Sequence, residues 1–300
     1  MNKRVLVGIR TNTFNSRNIY LASYYQSLGF DVAFVVDETK GEVSTGFFDK
    51  ISFDNDRLDH LGLFKSHSKI GWLCGDYFHY MMALDRPQYE GYWLIEDDAF
   101  ASIKGYPELL IKPLIHEIDF VAHNLDDANG KFLEGWCMSL RNAIDSPEPL
   151  LKCLFCVTYS SRRYTLECLK YRQECSRKYI SGEIDKYKYP FPNDESLMAN
   201  IPTRSQFNIQ ALKDVFPGTC ENFNYTSHGE VFDIDPSQTD LEIGFYHPVR
   251  LRSSDVDEVE SRLFLKMKQK SPSLASDAAE TCSWLRSIAD SIEGKYSSVD

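Results

Sequence analysis

No stretch of this 300-residue chain approaches the roughly 20 consecutive apolar residues needed to cross a bilayer. Its opening, MNKRVLVGIRTNTFNSRN, has two early basic side chains and an apolar run that breaks at Arg10. A secretory signal needs a longer apolar segment and a small-residue cleavage site, and neither is there. Positive charge is scarce: 33 Lys and Arg against 44 Asp and Glu leave a formal net charge of −11. Such a chain repels nucleic-acid phosphates unless its basic residues cluster, so no nucleic acid is expected as a partner. The eight cysteines, at positions 74, 137, 153, 156, 168, 175, 220 and 282, are too sparse in a chain this long for a secreted disulfide scaffold. A cytoplasmic protein with reduced thiols is expected. With 43% hydrophobic and 26% charged residues the chain has enough apolar mass for a large core, which excludes a disordered or fibrous class.

What is present is a pattern of short β-branched runs alternating with helical spacing. Val5–Ile9 reads as a strand buried on both faces. Residues 15–29 place Ile19, Tyr20, Tyr24 and Leu28 at helical intervals and stop at Gly29, and Val32–Val36 is a second buried strand. Strand, helix and strand in so short a span make a βαβ unit, so a parallel sheet is predicted to begin the domain. Further along, a helix is predicted over Gly75–Leu84, then strands over Tyr92–Ile95, Ile118–Ala122 and Leu154–Tyr159. A helix is predicted over Ser161–Tyr179, a short one near Glu195–Asn200, and a last strand over Gly244–His247. Residues 1–250 are taken as one α/β domain with a Rossmann-like, mostly parallel sheet flanked by helices. Residues 251–300, Ser-rich and highly charged, are taken as a C-terminal helical appendage. The stretch Val256–Lys270 in that tail mixes apolar residues with lysines, a composition suited to packing on the domain or to peripheral contact with an anionic membrane face.

The chemistry concentrates at YWLIEDDAF, where an apolar strand delivers Glu96, Asp97 and Asp98 at its C-terminal end, the end at which open α/β sheets bind ligands. Strand alternation places Glu96 and Asp98 on one face and Asp97 on the other. Two carboxylates on one face suit a hard divalent cation with positions left for phosphate oxygens, although a strand-end acid also serves as a helix cap or a solvated turn.

An apolar-apolar-Glu-Asp-Asp strand downstream of an N-terminal βαβ unit resembles the DXD element of GT-A glycosyltransferases. The EDD form is similar to that of several bacterial surface-polysaccharide and lipopolysaccharide transferases, a resemblance that implies a role in polysaccharide biosynthesis. The resemblance spans roughly residues 4–250 in order of elements. It implies a GT-A-like domain, Mn²⁺ or Mg²⁺ as cofactor, a nucleotide-sugar donor, UDP-linked, and a glycan or glycolipid acceptor. Carried over, Asp98 is the metal ligand, Glu96 supports the metal or the ribose, and Asp97 stands with them at the nucleotide.

Other segments fall where that resemblance expects them. Arg10 and Thr11, ending the first strand, would face a phosphate and the base, and Asp37, ending the second, the ribose or uracil; solvated strand ends are the alternative. Asp76 would meet the base or ribose, or cap its helix. His247, before Pro248, would supply a third metal ligand. Asp194 or Glu195, at a loop-to-helix junction, would take the proton of the acceptor hydroxyl in an inverting transfer, Asp194 slightly ahead; capping is the alternative. Arg162 and Arg163 would steady an anion, and Trp136 would stack on a sugar or be buried. Cys153 and Cys156 form a CxxC, but strand alternation parts them, so buried thiols are favoured over zinc. Two rival readings remain: a nucleotidyl- or phosphoryl-transferring enzyme with a paired-carboxylate metal site, and a non-catalytic nucleotide- or carbohydrate-binding module.

Overall fold

The structure, a computed structural model, describes residues 4–65, 70–103, 106–223, 232–234 and 242–251. The expected C-terminal helical appendage therefore lies outside the described residues from position 252 onward.

A seven-stranded sheet organises the chain, in the order β3-β2-β1-β4-β7-β6-β8. Its strands are β1 (Val5–Thr11), β2 (Asp31–Asp37), β3 (Lys50–Phe53), β4 (Gly91–Glu96), β6 (Phe120–Asp127), β7 (Leu151–Ser161) and β8 (Ile209–Ala211). β5 (Phe100–Ser102) instead pairs antiparallel with β10 (Gly244–Tyr246), and β9 (Phe232–Ile234) runs parallel to β11 (Val249–Leu251). Six of the seven strands run one way; β7 is antiparallel to both neighbours, β4 and β6. The protein is thus α/β with a mostly parallel sheet flanked by helices, as the sequence predicts for a GT-A-like domain. Among the described residues no helix is long and apolar enough to cross a membrane.

Alternation along the strands feeds two cores. Leu6, Tyr92 and Leu94 pack on one face with the helices Asp76–Asp85 and Arg162–Ile180. Val5, Val7, Ile9, Trp93 and Ile95 pack on the other, with the helix Ser16–Ser27. The same alternation decides where the polar ends of the strands point. Arg10 and Glu96 fall on the face of the first core, Thr11 and Asp97 on the face of the second. Gly8 is required by proximity, because a Cβ there would run into Met82 Sδ and come within 2.9 Å of Val35 Cγ2. Helix Ser16–Ser27 begins with a reciprocal cap, in which Asn15 and Asn18 each accept from the other's backbone N–H.

The chain order reverses between β1 and β4: β2 and β3 lie to one side of β1, and β4, β7, β6 and β8 to the other. A crevice opens at such a switch point, outside the carboxyl ends of the parallel strands. Arg10, Thr11, Asp37 and Glu96 all sit at that end, and β7, running in reverse, brings its N-terminal half there as well.

Candidate functional site

The crevice is a cleft of about 490 Å³ lined by the ends of β1, β2 and β4 together with Lys40, Gly71 and Trp72. Glu96 is the last residue of β4, and the turn that follows closes with Ala99 N–H donating to Glu96 C=O (2.9 Å). That turn keeps the alternation of the triplet. Asp97 lines the cleft but is turned to the other face of the strand, accepting from Thr11 Oγ1 at 3.0 Å and pairing with Arg17 at 3.5 Å, so its carboxylate ties the strand end to the first turn of helix Ser16–Ser27. Asp98 faces the open side with 41% of its side chain exposed.

His247 reaches the triplet through strand pairing. β10 runs antiparallel to β5 with Tyr246 opposite Phe100, which lands the next residue beside the turn. Its Nε2 lies 3.8 Å from Asp98 Oδ1, and Val249 N–H donates to Asp98 C=O at 2.7 Å. Burial raises the Asp98 carboxyl above the usual range, and the Glu96 charge adds to that, while His247 acts against it.

Glu96 is paired at the floor of the cleft. Arg10 Nη1 pairs with it at 2.7 Å, and the guanidinium, buried over the Phe78 ring, also donates to Gly71 C=O. Arg10 therefore holds the floor of the cleft in place as much as it faces the opening. Cys156 is the neighbour that sequence spacing did not reveal. The antiparallel register Ile95–Val157 sets it beside Glu96, and its Sγ, a Glu96 oxygen and a His247 nitrogen lie within 4.8 Å of one another. Burial, then the Glu96 charge, pushes the Cys156 thiol well up. The other half of the CxxC, Cys153, belongs to the opposite core and donates to Glu195 C=O, as alternation requires.

Two residues expected at the site are buried behind it rather than lining it, for physical reasons. Asp76 does not line the cleft. It and Arg172 are both 0% exposed and form an ion pair at 2.6 Å between helices Asp76–Asp85 and Arg162–Ile180, with Tyr80 also donating to Asp76 at 2.7 Å. The N-cap of that helix is Gly75, so Asp76 is not the cap either. Asp194, expected ahead of Glu195 as the acceptor-facing base, is 3% exposed. Its Oδ2 accepts Gly75 N–H at 2.7 Å, and burial, together with the Glu195 charge, pushes its carboxyl far up. Asn193, not Asp194, supplies the cap of the short helix Asp194–Leu197. Glu195 is the less buried of the two and faces Glu96; burial and that charge raise its carboxyl to about 7.

Asp37 lines the cleft with Oδ1 engaged by Thr39 N–H and hydroxyl at 2.9 and 2.6 Å. Arg162 and Arg163 sit at the opposite end of the sheet, since β7 is reversed, and cannot reach the triplet. They line a second hollow of about 580 Å³ whose most exposed cation, Arg163, is occupied by the buried Asp119. Trp136 is half-buried in the turn Leu133–Cys137. Trp72, which sequence reasoning passed over, is 68% exposed on the rim of the cleft. Its exposure gives no periodic signal, so nothing in the pattern distinguished it from a core residue.

Fold and cleft together define an α/β protein with an acidic, ligand-sized crevice at the switch point of its sheet. No family model matches the chain, and no curated protein matches it. Among solved structures it is similar to a glycosyltransferase involved in the glycosylation of the major capsid of PBCV-1, at 11% identity and TM-score 0.35 over 86% of this chain and 99% of that one. It is also similar to the mannosyltransferase Ktr4p from S. cerevisiae, at 11% identity and TM-score 0.41 over 71% and 69%. Mouse xyloside xylosyltransferase 1 matches at 10% identity and TM-score 0.38, over 85% and 98%. Likenesses this distant say nothing about donor, metal or acceptor.

Proposed function

We propose that the chain is a metal-dependent glycosyltransferase that moves a sugar from a nucleotide donor, UDP-linked, to a hydroxyl of a glycan or glycolipid. The charge of the cleft carries this reading. Four carboxylates, Asp37, Glu96, Asp97 and Asp98, line it against two cations, Arg10 and Lys40, and Arg10 is already paired with Glu96. A diphosphate would be repelled there unless a divalent ion came with it. Asp98, exposed and beside His247, with Glu96 behind it, offers the oxygen and imidazole donors that Mn²⁺ or Mg²⁺ takes. Bound there, the ion would neutralise charge on the departing nucleotide.

The chain's own groups supply the rest. Lys40, exposed on the cleft wall, would meet phosphate oxygens, and Asp37, its Oδ1 fixed by Thr39, would accept from a ribose hydroxyl. Trp72 offers an aromatic face to the base at the rim. Glu195, its carboxyl raised to about 7, would take the acceptor proton as the hydroxyl attacks the anomeric carbon from the far side, which gives inversion. The nucleotidyl-transfer alternative calls for a further carboxylate beside Asp98, and the group at that position is His247.

The test is calorimetry of UDP with and without Mn²⁺ on the wild type and Asp98→Ala, followed by hydrolysis of a panel of UDP-sugars. Binding that needs the metal and is lost in the variant, with UDP released from one donor, is the expected result. Binding indifferent to metal and to Asp98 would overturn the reading; binding without turnover would leave a nucleotide-binding module; turnover of nucleoside triphosphates instead would favour the alternative enzyme.

A further inference from the structure

Glu96 and His247 serve two donor sets that point in different directions. Outward lies Asp98, an oxygen donor open to the cleft. Inward lies Cys156, a sulfur donor on β7 that is 7% exposed. Glu96, Cys156 and His247 each offer one ligand atom, and these atoms lie within 4.8 Å of one another. A tetrahedral zinc site has Zn–S near 2.3 Å and Zn–N and Zn–O near 2.0–2.2 Å, which sets ligand atoms roughly 3.3–3.8 Å apart. Side-chain shifts of about 1 Å would close the present arrangement to that spacing. The three residues come from three separate strand segments, β4, β7 and the end of β10, whose backbones are fixed by pairing.

We propose that Glu96, Cys156 and His247 form a binding site for a thiophilic divalent cation of the Zn²⁺ class, with the Cys156 thiolate as a ligand. Sulfur selects against Mn²⁺ and Mg²⁺ and for Zn²⁺ or Co²⁺, whereas the outward set of Asp98, Glu96 and His247 is the harder of the two. The thiol binds as thiolate and gives its proton to water. Because Glu96 and His247 cannot serve both positions at once, an ion held on Cys156 excludes the hard ion. On the proposed transferase reading, Zn²⁺ is then an inhibitor competing with the Mn²⁺–nucleotide; that consequence rests on the reading, but the site does not. Cys153 takes no part, since its thiol donates to Glu195 C=O.

The experiment uses the full reduced chain and Co²⁺ alone, with no nucleotide. A near-ultraviolet sulfur-to-cobalt charge-transfer band that saturates at one equivalent and is abolished by Zn²⁺ is expected. The band should be lost in both Cys156→Ser and Cys156→Ala, and kept in Cys220→Ser, which changes a half-buried thiol elsewhere. Thermal unfolding of each metal-free variant confirms that a lost band is a lost ligand. Zn²⁺ affinity, read by competition, should fall at least tenfold in Cys156→Ser. No band at stoichiometric Co²⁺, or a band undiminished in both Cys156 variants, would overturn the proposal. UDP binding is measured separately: a Co²⁺ band without Mn²⁺-dependent UDP binding leaves this site standing and removes the transferase reading, and the reverse pattern removes only this site.

Discussion

Asp76 is where spacing and burial give opposite answers, and removing it discriminates between them. A helix-start acid beside the nucleotide would cost ligand affinity when removed and leave the fold intact. A fully buried partner of Arg172 would do the opposite. Asp76 and Arg172 are both 0% exposed, and the pair joins two helices of the first core. Asp76→Ala leaves a guanidinium in the interior with only Pro192 C=O (2.6 Å) and the faces of Phe191 and Tyr77 for company. Removing one member of a buried ion pair costs about 3–5 kcal/mol, because the surviving charge stays desolvated. Tyr80 also loses its acceptor, adding about 1 kcal/mol.

For a domain of this size each kcal/mol moves the unfolding midpoint by roughly 2–4 °C, so a drop of at least about 8 °C is expected. Asp76→Leu combined with Arg172→Met removes both charges and should recover most of the loss, since a packed apolar pair is often neutral against a buried ionic one. Urea titration of the four-member set gives the coupling, and calorimetry below the transition gives UDP affinity. Nucleotide affinity should change less than about threefold in every folded variant. A variant that keeps its stability within about 1 kcal/mol but loses tenfold or more in UDP affinity would refute the reasoning and return Asp76 to the ligand.

Glu195 sets a pH dependence. Its carboxyl rises from 4.5 to about 7 through burial and the Glu96 charge, so between those values the folded state holds a proton that the unfolded state has released. Stability from this group is complete below about 4.5 and lost as the pH rises through about 7, at most about 3 kcal/mol in metal-free protein. Urea midpoints should therefore fall from pH 5 to pH 8, and Glu195→Gln should flatten that fall. In transfer assays the same residue should give a rising limb near pH 7 that Glu195→Gln removes together with most of the rate, and Mn²⁺ should move the limb downward. Gly75→Ala tests the packing under the cleft: a Cβ there would run into Asp194 Oδ2 and meet Arg10 Nη1 at 2.6 Å and Phe155 Cδ1 at 2.8 Å. A loss of about 1–3 kcal/mol is expected by thermal unfolding, with weaker Mn²⁺-dependent UDP binding as Arg10 is displaced from Glu96.

The α/β class, the opening βαβ unit and the strand that ends in the acidic triplet were legible because they depend on local pattern. VLVGI and DVAFVV are apolar runs between polar ends, and YWLIEDD marks a buried strand and its exit in one phrase. What local pattern does not encode is direction and depth. LKCLFCVTYSS is apolar enough to sit anywhere in the sheet, so its reversal, which carries Arg162 and Arg163 away from the triplet and Cys156 up to it, was not readable. β3 and β5, of four and three residues, are too short to show a period. Asp76 and Asp194 share one ambiguity: an acid at a helix start looks the same in sequence whether its neighbour in space is water or a buried Arg172 or Arg10.

Depth also explains why three adjacent acids do not do one job. Alternation gives Asp97 to the second core's face, where Thr11 and Arg17 hold it and it fixes the strand end to a helix. Glu96 goes to the first core's face, where Arg10 balances its charge, while its oxygen still comes within reach of Cys156, which belongs to the second core. Asp98, past the end of the strand, is the most open to solvent, 41% exposed against 21% for Glu96 and 23% for Asp97. A site that must gain a cation and lose it again needs this gradation. An acid with no exposure cannot exchange its partner, and an acid with no anchorage cannot aim at one. Asp98 is therefore the residue whose removal should cost ligand binding and little stability, whereas Asp97→Ala should loosen the link between the strand end and helix Ser16–Ser27 first and reach the cleft only through it.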